Sequence, residues 1–94
     1  MMPSVVANLK LKEDQLDNAL TFLRDLAKST LASEPGTLAY VVHQRRDDPL
    51  SIVVYEKYES DEAFAEHGKN LGAKAGEFMA LMDGPPEVIL IEEI

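Results

Sequence analysis

The side chains in this sequence that could do acid–base chemistry are His67, Tyr58 and Glu56. Histidine is the usual general base, because its unperturbed pKa of about 6.5 lies near neutral pH. His67 lies at helical spacing from a set of apolar residues, so its side chain should point with theirs toward the sheet. The set is Phe64, Leu71, Ala75 and Phe78. Tyr58 and Glu56 lie two residues apart in a β-rich stretch, so their side chains share one face of a strand. Each also has a simpler interpretation: His67 could end a helix, Tyr58 could be a packing residue, and Glu56 could be solvated.

Hydrophobic periodicity predicts the elements that position these residues. Alternation with period two predicts strands over residues 4–11, 37–45, 51–58 and 87–94, and spacings of three and four predict helices over residues 16–31 and after Ser60. Pro35 and Gly36 should end the first helix, since proline cannot continue it and glycine tolerates a left-handed turn. Gly68 and Gly72 interrupt the second helical stretch, which could be one helix or two. The order β-α-β-β-α-β predicts an α+β, ferredoxin-like fold in a single domain over residues 1–94.

The second histidine, His43, joins the candidate site under only one strand register. If Arg45 pairs with Leu50 across the hairpin, His43 shares the face of Ile52 and Val54; a slip of one residue moves it to the opposite face, at the surface or at an interface. Two isolated histidines without a carboxylate at metal-ligand spacing make a poor metal site, so no metal is expected.

Both faces of the predicted sheet are apolar. In each of three strands, apolar side chains lie on both sides. One side of residues 51–58 has Val53 and Tyr55, and the other has Ile52, Val54 and Tyr58; in residues 37–45 the two sides have Leu38, Tyr40 and Val42, and Ala39 and Val41; in residues 87–94 they have Val88 and Leu90, and Ile89 and Ile91. Two helices can cover one face of such a sheet, and an apolar second face left in water would exceed what monomers usually expose. We therefore expect a homodimer closed through the open sheet face, although a chain terminus or a larger oligomer could also cover it.

The charge and the absence of cysteine limit which partners this protein can bind and which chemistry it can use. A formal net charge of -8 opposes binding to nucleic acid or to an anionic membrane surface. The absence of cysteine removes disulfides and thiolate chemistry, and it favours a cytoplasmic location. No apolar run approaches the roughly 20 residues of a membrane span, and the N-terminal residues lack the pattern of a secretory signal.

Three stretches carry a resemblance to a known family. They are Glu-Pro-Gly-Thr-Leu-Ala-Tyr at residues 34–40, His43 with the Asp-Asp-Pro turn at residues 47–49, and residues 55–67, which end in His67. Together they resemble the antibiotic biosynthesis monooxygenase family over nearly the whole chain, most specifically at residues 56–67. The resemblance implies a ferredoxin-like dimeric α/β-barrel, with a small-molecule pocket in each protomer between the sheet and the helices.

Members of the family have several activities, and the residues of this chain fit the pattern of some branches better than that of others. Some members oxidise quinols or polycyclic phenols without flavin, haem or metal, others degrade haem, and one branch processes signalling molecules. The haem-degrading pattern fits poorly, because Ala7 takes the place of its strand asparagine and His67 that of its helix tryptophan. In the polyketide-oxidising branch, Tyr58 and Phe64 match a pocket tryptophan and tyrosine, whereas Val54 replaces an asparagine.

The resemblance leads to the hypothesis of a cofactor-independent monooxygenase that acts on a small aromatic, quinol or polyphenol compound. It implies His67 as the base, with Tyr58 and Glu56 as polar partners, one donating to an oxyanion and the other orienting the imidazole. The expected pocket residues are Val54, Phe64, Leu71, Phe78 and His43. Two rival hypotheses are a non-catalytic dimeric module that binds an apolar metabolite, and a cyclase or isomerase that assists a biosynthetic pathway.

Overall fold

The computed structural model describes residues 2–94 as a four-stranded antiparallel sheet with helices on one face. The elements are β1 (Pro3–Lys10), a 3-10 turn (Glu13–Gln15), α1 (Leu16–Ser33), β2 (Thr37–Gln44), β3 (Ser51–Tyr58), α2 (Asp61–Gly72), α3 (Ala75–Leu81) and β4 (Glu87–Glu92). The strand order is β2-β3-β1-β4. The predicted α+β, ferredoxin-like fold is confirmed. Within one chain the sheet is open, so a barrel requires a second copy.

The core forms between α1 and one face of the sheet. Val5, Ala7 and Leu9 alternate inward along β1, as predicted, and all three are buried. α1 buries Ala19, Leu23, Leu26 and Thr30 on its sheet-facing side. Leu31, the last residue of the predicted helical spacing, is 48% exposed, because Thr30 takes the inward position of the last turn.

Gly36 allows a close approach between two elements. A Cβ atom built on it would lie 2.6 Å from the Cβ of Ala63 in α2, closer than such atoms pack. Its φ angle is not positive, so the expected left-handed turn is wrong. The missing side chain lets the start of β2 pack against α2, which brings the end of α1 close to His67.

The second helical stretch consists of two helices. The Ser60 hydroxyl accepts a hydrogen bond from the backbone N–H of Ala63 at 3.1 Å and so caps the helix that was predicted to follow Ser60. The break between the helices follows Gly72, at Ala73 and Lys74. Gly68 lies inside α2, so the expected interruption at that residue is wrong.

A β-bulge changes which side chains of β2 face the helices. The pairing with β3 shifts between Thr37 and Ala39, so Leu38 is an extra residue. Thr37 and Tyr40 are buried, whereas Leu38 is 48% exposed. The expectation that Leu38 shares a face with Tyr40 is therefore wrong.

The open face of the sheet has an apolar centre. The register places Val6, Val41, Val53, Tyr55, Ile89 and Ile91 on it. Val41, Ile89 and Ile91 are 46%, 43% and 42% exposed. The edge strand β4 is exposed on both faces, because Val88 and Leu90 lie beyond the cover that the helices provide. A large apolar surface is thus left in water by the single chain.

Candidate active site

Five polar or aromatic side chains meet between the sheet and α2, and each is at most 8% exposed; they are Glu34, Tyr40, Glu56, Tyr58 and His67. The fold explains their meeting. Tyr40 and Glu56 are cross-strand partners in β2 and β3, and Tyr58 follows two residues after Glu56 on the same face. Glu34 ends α1, and His67 lies in the middle of α2. We call these residues the buried polar cluster.

His67 is buried, as its helical spacing predicts, and is held through one ring nitrogen. Its Nδ1 lies 2.9 Å from Oε1 of Glu34, which also accepts a hydrogen bond from the Thr37 hydroxyl at 3.0 Å. Because a carboxylate accepts, Nδ1 donates, and in the neutral imidazole Nε2 then carries the lone pair. α2 continues for five residues beyond His67, to Gly72, so the interpretation of His67 as a helix-ending histidine is wrong.

The other ring nitrogen of His67 has no partner. Nε2 is buried and makes no hydrogen bond within residues 2–94. The nearest carboxylate oxygen, Oε1 of Glu56, is 3.9 Å away, which is too long for a hydrogen bond. An unsatisfied buried acceptor is costly, so this nitrogen is suited to receive a proton from a bound molecule.

Glu56 and Tyr58 form a buried pair. The Tyr58 hydroxyl donates to Oε1 of Glu56 at 2.5 Å. Burial raises the pKa of Glu56, although the bond from Tyr58 and the nearby His67 oppose that shift. Burial, followed by the bond to Glu56, raises the pKa of Tyr58. Glu56 therefore has an increased tendency to be protonated, while Tyr58 stays a neutral donor.

Aromatic rings surround the imidazole. The ring centroid of His67 lies 5.2 Å from that of Tyr40 and 5.5 Å from that of Tyr58. Burial, and then the neighbouring Glu56 and Glu34, raise the pKa of Tyr40, so this phenol is also neutral. Contact with both rings restrains rotation of the His67 side chain.

A cavity of about 210 Å³ adjoins the cluster, and Tyr40, Glu56 and His67 supply its polar groups. The rest of its wall is apolar or backbone: Val5, Ala7, Leu9, Val54, Phe64, Gly68, Leu71, Phe78, Pro86 and Val88. Four of the expected pocket residues thus line it, namely Val54, Phe64, Leu71 and Phe78. Tyr58 does not line it; its side chain is fully buried, and its hydroxyl donates to Glu56.

His43 is not part of this cavity. The Arg45 N–H donates to the Ser51 carbonyl, and His43 pairs with Val53, one residue away from the register that its predicted placement required. His43 is therefore exposed on the open face of the sheet, with Nδ1 3.2 Å from the carbonyl oxygen of Val53. Its expected place in the pocket is wrong.

Sequence reasoning missed Glu34 and Tyr40. Glu34 entered only as the first residue of the stretch 34–40 that resembles the family, and nothing in the pattern pairs it with a residue 33 positions later. Tyr40 could have been found, because a correct hairpin register places it opposite Glu56. The expected orienter of the imidazole, Glu56 or Tyr58, is replaced at Nδ1 by Glu34.

The cluster lies within the segment that matches a known family. The family model for antibiotic biosynthesis monooxygenase matches residues 2–77. The chain belongs to the antibiotic biosynthesis monooxygenase family. The match to this family includes all five residues of the buried polar cluster and ends before β4.

Solved structures share the whole fold. A protein from Caulobacter crescentus, described as a candidate antibiotic biosynthesis monooxygenase, is 27% identical, with a TM-score of 0.91 over 99% of this chain and 90% of that chain. One from Nitrosomonas europaea with the same description is 21% identical, with a TM-score of 0.89 over 99% and 90%. A conserved protein from Methanosarcina mazei is 18% identical, with a TM-score of 0.90 over 100% and 94%. The last two show the fold alone. No curated protein matches the chain.

No helix within residues 2–94 has the length and apolar character to cross a membrane. In the same range, no three His, Cys, Asp or Glu side chains are grouped as metal ligands.

Proposed function

We propose that this chain is a cofactor-independent monooxygenase that oxidises a small electron-rich aromatic, quinol or polyphenol compound. The observation that carries the proposal is the unpartnered, buried Nε2 of His67 beside an apolar cavity. A hydroxyl group of a phenol placed against this nitrogen would supply the missing hydrogen-bond donor. The same contact would give His67 the proton that the reaction must remove.

Deprotonation is the step for which the cluster is suited. Nε2 of His67 takes the phenolic proton, and the imidazolium that forms is stabilised at Nδ1 by Glu34, 2.9 Å away. This arrangement follows the logic of a histidine oriented and stabilised by a buried carboxylate. The low polarity of the cavity wall strengthens the attraction between the imidazolium and the phenolate.

Glu56 is proposed to hold the phenolate. A second negative charge beside the phenolate would be repulsive, so the protonated form of Glu56 is the useful one, and burial favours that form. The oxygen of Glu56 that does not accept from Tyr58 can then donate to the phenolate. Tyr58 acts through Glu56 by fixing the position of the carboxyl group.

The substrate itself supplies the electrons. The phenolate transfers an electron to O2, the resulting radicals combine at a ring carbon, and the hydroperoxide eliminates water to leave a quinone. For a phenol, ArOH and O2 give a quinone and H2O, with one oxygen atom in each product. The reaction is a four-electron oxidation of the ring, and no external reductant is required. The apolar wall limits the access of water to these intermediates.

A homodimer is the proposed assembly. The exposed apolar centre of the open sheet face, which includes Val41, Ile89 and Ile91, is the surface that a second copy would cover. A two-fold contact between these faces closes both sheets at once. The resulting barrel-like core would place one cavity in each protomer.

The test is oxygen uptake by metal-free and flavin-free protein with a panel of quinols and polyphenols. Uptake is expected with at least one compound, and one atom of 18O from 18O2 should appear in its product. His67→Ala should lose activity about a hundredfold or more, because general base catalysis contributes roughly 10² to 10⁴. His43→Ala is the matched control and should leave uptake unchanged, since His43 lies on the other face of the sheet.

Each other result contradicts part of the proposal. Uptake that survives His67→Ala would remove His67 as the base. Binding of phenols without uptake would favour the non-catalytic binding module, and conversion without oxygen consumption would favour a cyclase or isomerase.

A further inference from the structure

An apolar groove runs along the outer side of the active-site cavity. Its wall has almost no polar surface and consists of Gly68, Leu71, Gly72, Ala75, Phe78, Met79, Met82 and Pro86, around a volume of about 330 Å³. Met79 at its rim is 65% exposed. We call this feature the α2–α3 groove.

The groove adjoins the cavity. Gly68, Leu71, Phe78 and Pro86 line both, so these residues form their shared boundary, which carries no side chain at Gly68. The cavity alone, at about 210 Å³, is smaller than the roughly 300–1,000 Å³ usual for small-molecule sites, and the adjoining groove offers about 330 Å³. All the polar lining groups discussed above lie on the cavity side.

Two glycines keep the groove open. Gly68 and Gly72 both belong to α2, although glycine is a poor helix former. A Cβ atom at either position would meet nothing within 4 Å, so the packing of this chain gives no reason for glycine there. At Gly36, by contrast, a Cβ would clash with Ala63. Side chains at 68 and 72 would instead project into the open space of the groove, which both residues line.

We infer that the α2–α3 groove binds an apolar substituent of the substrate whose phenolic head lies against His67. This inference rests on the proposed function and narrows its substrate class to phenols or quinols that carry an alkyl or alkenyl chain. Polar recognition occurs at one end, at His67 and Glu56. The groove adds affinity by removing the substituent from water.

The experiment measures binding of 4-ethylphenol, 4-butylphenol and 4-hexylphenol by calorimetry to the metal-free protein. In the wild type, the dissociation constant should fall about two- to fourfold for each added methylene, as expected for CH2 groups that become buried. Gly72→Leu should fill the groove, abolish this dependence on chain length, and leave the affinity for 4-ethylphenol within about twofold. Gly72 is the substituted position because it lines the groove but not the cavity.

Gly76→Leu is the matched control. Gly76 is also an open helical glycine, in α3, but it lines neither the groove nor the cavity. It should keep the wild-type dependence on chain length. Thermal unfolding of both variants checks that each one folds.

Several results would overturn the inference. They are equal affinity for the three phenols in the wild type, no binding of any of them, or an unchanged chain-length dependence in Gly72→Leu. A change of molecular mass in Gly72→Leu, with the dependence intact, would assign the groove to a second copy instead. Failure of oxygen uptake with all quinols would count against the proposed function. The dependence of binding on chain length would still test the groove, because binding is measured without turnover.

Discussion

Replacing Glu34 tests how strongly the buried polar cluster is held together. Oε1 of Glu34 accepts from Nδ1 of His67 at 2.9 Å and from the hydroxyl of Thr37 at 3.0 Å. All three residues are buried. Glu34→Ala removes the acceptor of both donors, whereas Glu34→Gln keeps an acceptor oxygen and removes only the charge.

The magnitudes follow from this geometry. A buried donor that loses its partner costs about 1–3 kcal/mol, so the two donors orphaned by Glu34→Ala predict a loss of roughly 2–6 kcal/mol. Glu34→Gln should cost about 1.5–3 kcal/mol over its two bonds, because a bond to a charged acceptor is worth about 1.5–3 kcal/mol and a neutral one about half of that. The free energy of unfolding of a typical domain is only about 5–15 kcal/mol, so both losses are measurable.

The assay is urea unfolding followed by far-UV circular dichroism at one fixed protomer concentration. A double-mutant cycle of Glu34→Ala with His67→Leu should give a coupling of about 1.5–3 kcal/mol. Glu66→Gln is the control, since Glu66 is an exposed carboxylate next to His67 on α2 and should change stability by less than about 0.5 kcal/mol.

The reasoning fails if Glu34→Ala costs less than about 1 kcal/mol, or if the coupling with His67→Leu lies within about 0.5 kcal/mol of zero. Either result would mean that Glu34 does not hold the imidazole, and the proposed orientation of Nε2 would then lose its support.

Three further predictions concern other parts of the molecule. The pKa of Glu56 is raised above its usual value of 4.5, so its stabilising contribution is fully present below pH 4.5 and is lost as pH rises through the folded pKa. Glu56→Gln should therefore gain stability relative to wild type between pH 4 and pH 8, and a flat difference between the two urea-midpoint curves would contradict this. Gly36→Ala should destabilise by about 1–3 kcal/mol, because the new Cβ would lie 2.6 Å from that of Ala63; an unchanged thermal midpoint would show that the packing yields. Val41→Glu should shift the mass measured by light scattering from dimer to monomer, because it places an unpaired charge on the face proposed for the dimer; a dimer that persists would move the interface elsewhere.

Local patterns were sufficient for the elements and the fold class. The alternation in β1, the helical spacing in α1 and the Ser60 cap depend on neighbours within a few residues, and each was correct to within a few positions. The inward direction of His67 followed from the same local rule, because helical spacing assigns a face without reference to any partner. The resemblance stated from the residues was also correct at the level of the family.

Such local patterns could not predict the register between β2 and β3 or the contacts between residues far apart in the chain. A shift of one residue between β2 and β3 reversed the face of His43, and one bulge reversed that of Leu38, since side chains alternate with period two. No feature of the sequence predicts the register shift or the bulge.

By itself, therefore, the sequence determined which segments form helices and strands, their order, and that His67 turns inward, since these depend on spacing along the chain. Only the tertiary structure decided that Glu34 meets His67, that Nε2 is left without a partner, and that Gly68 and Gly72 open a groove beside the cavity. Those facts depend on distances between elements far apart in the chain, and such distances are set by how the helices pack on the sheet.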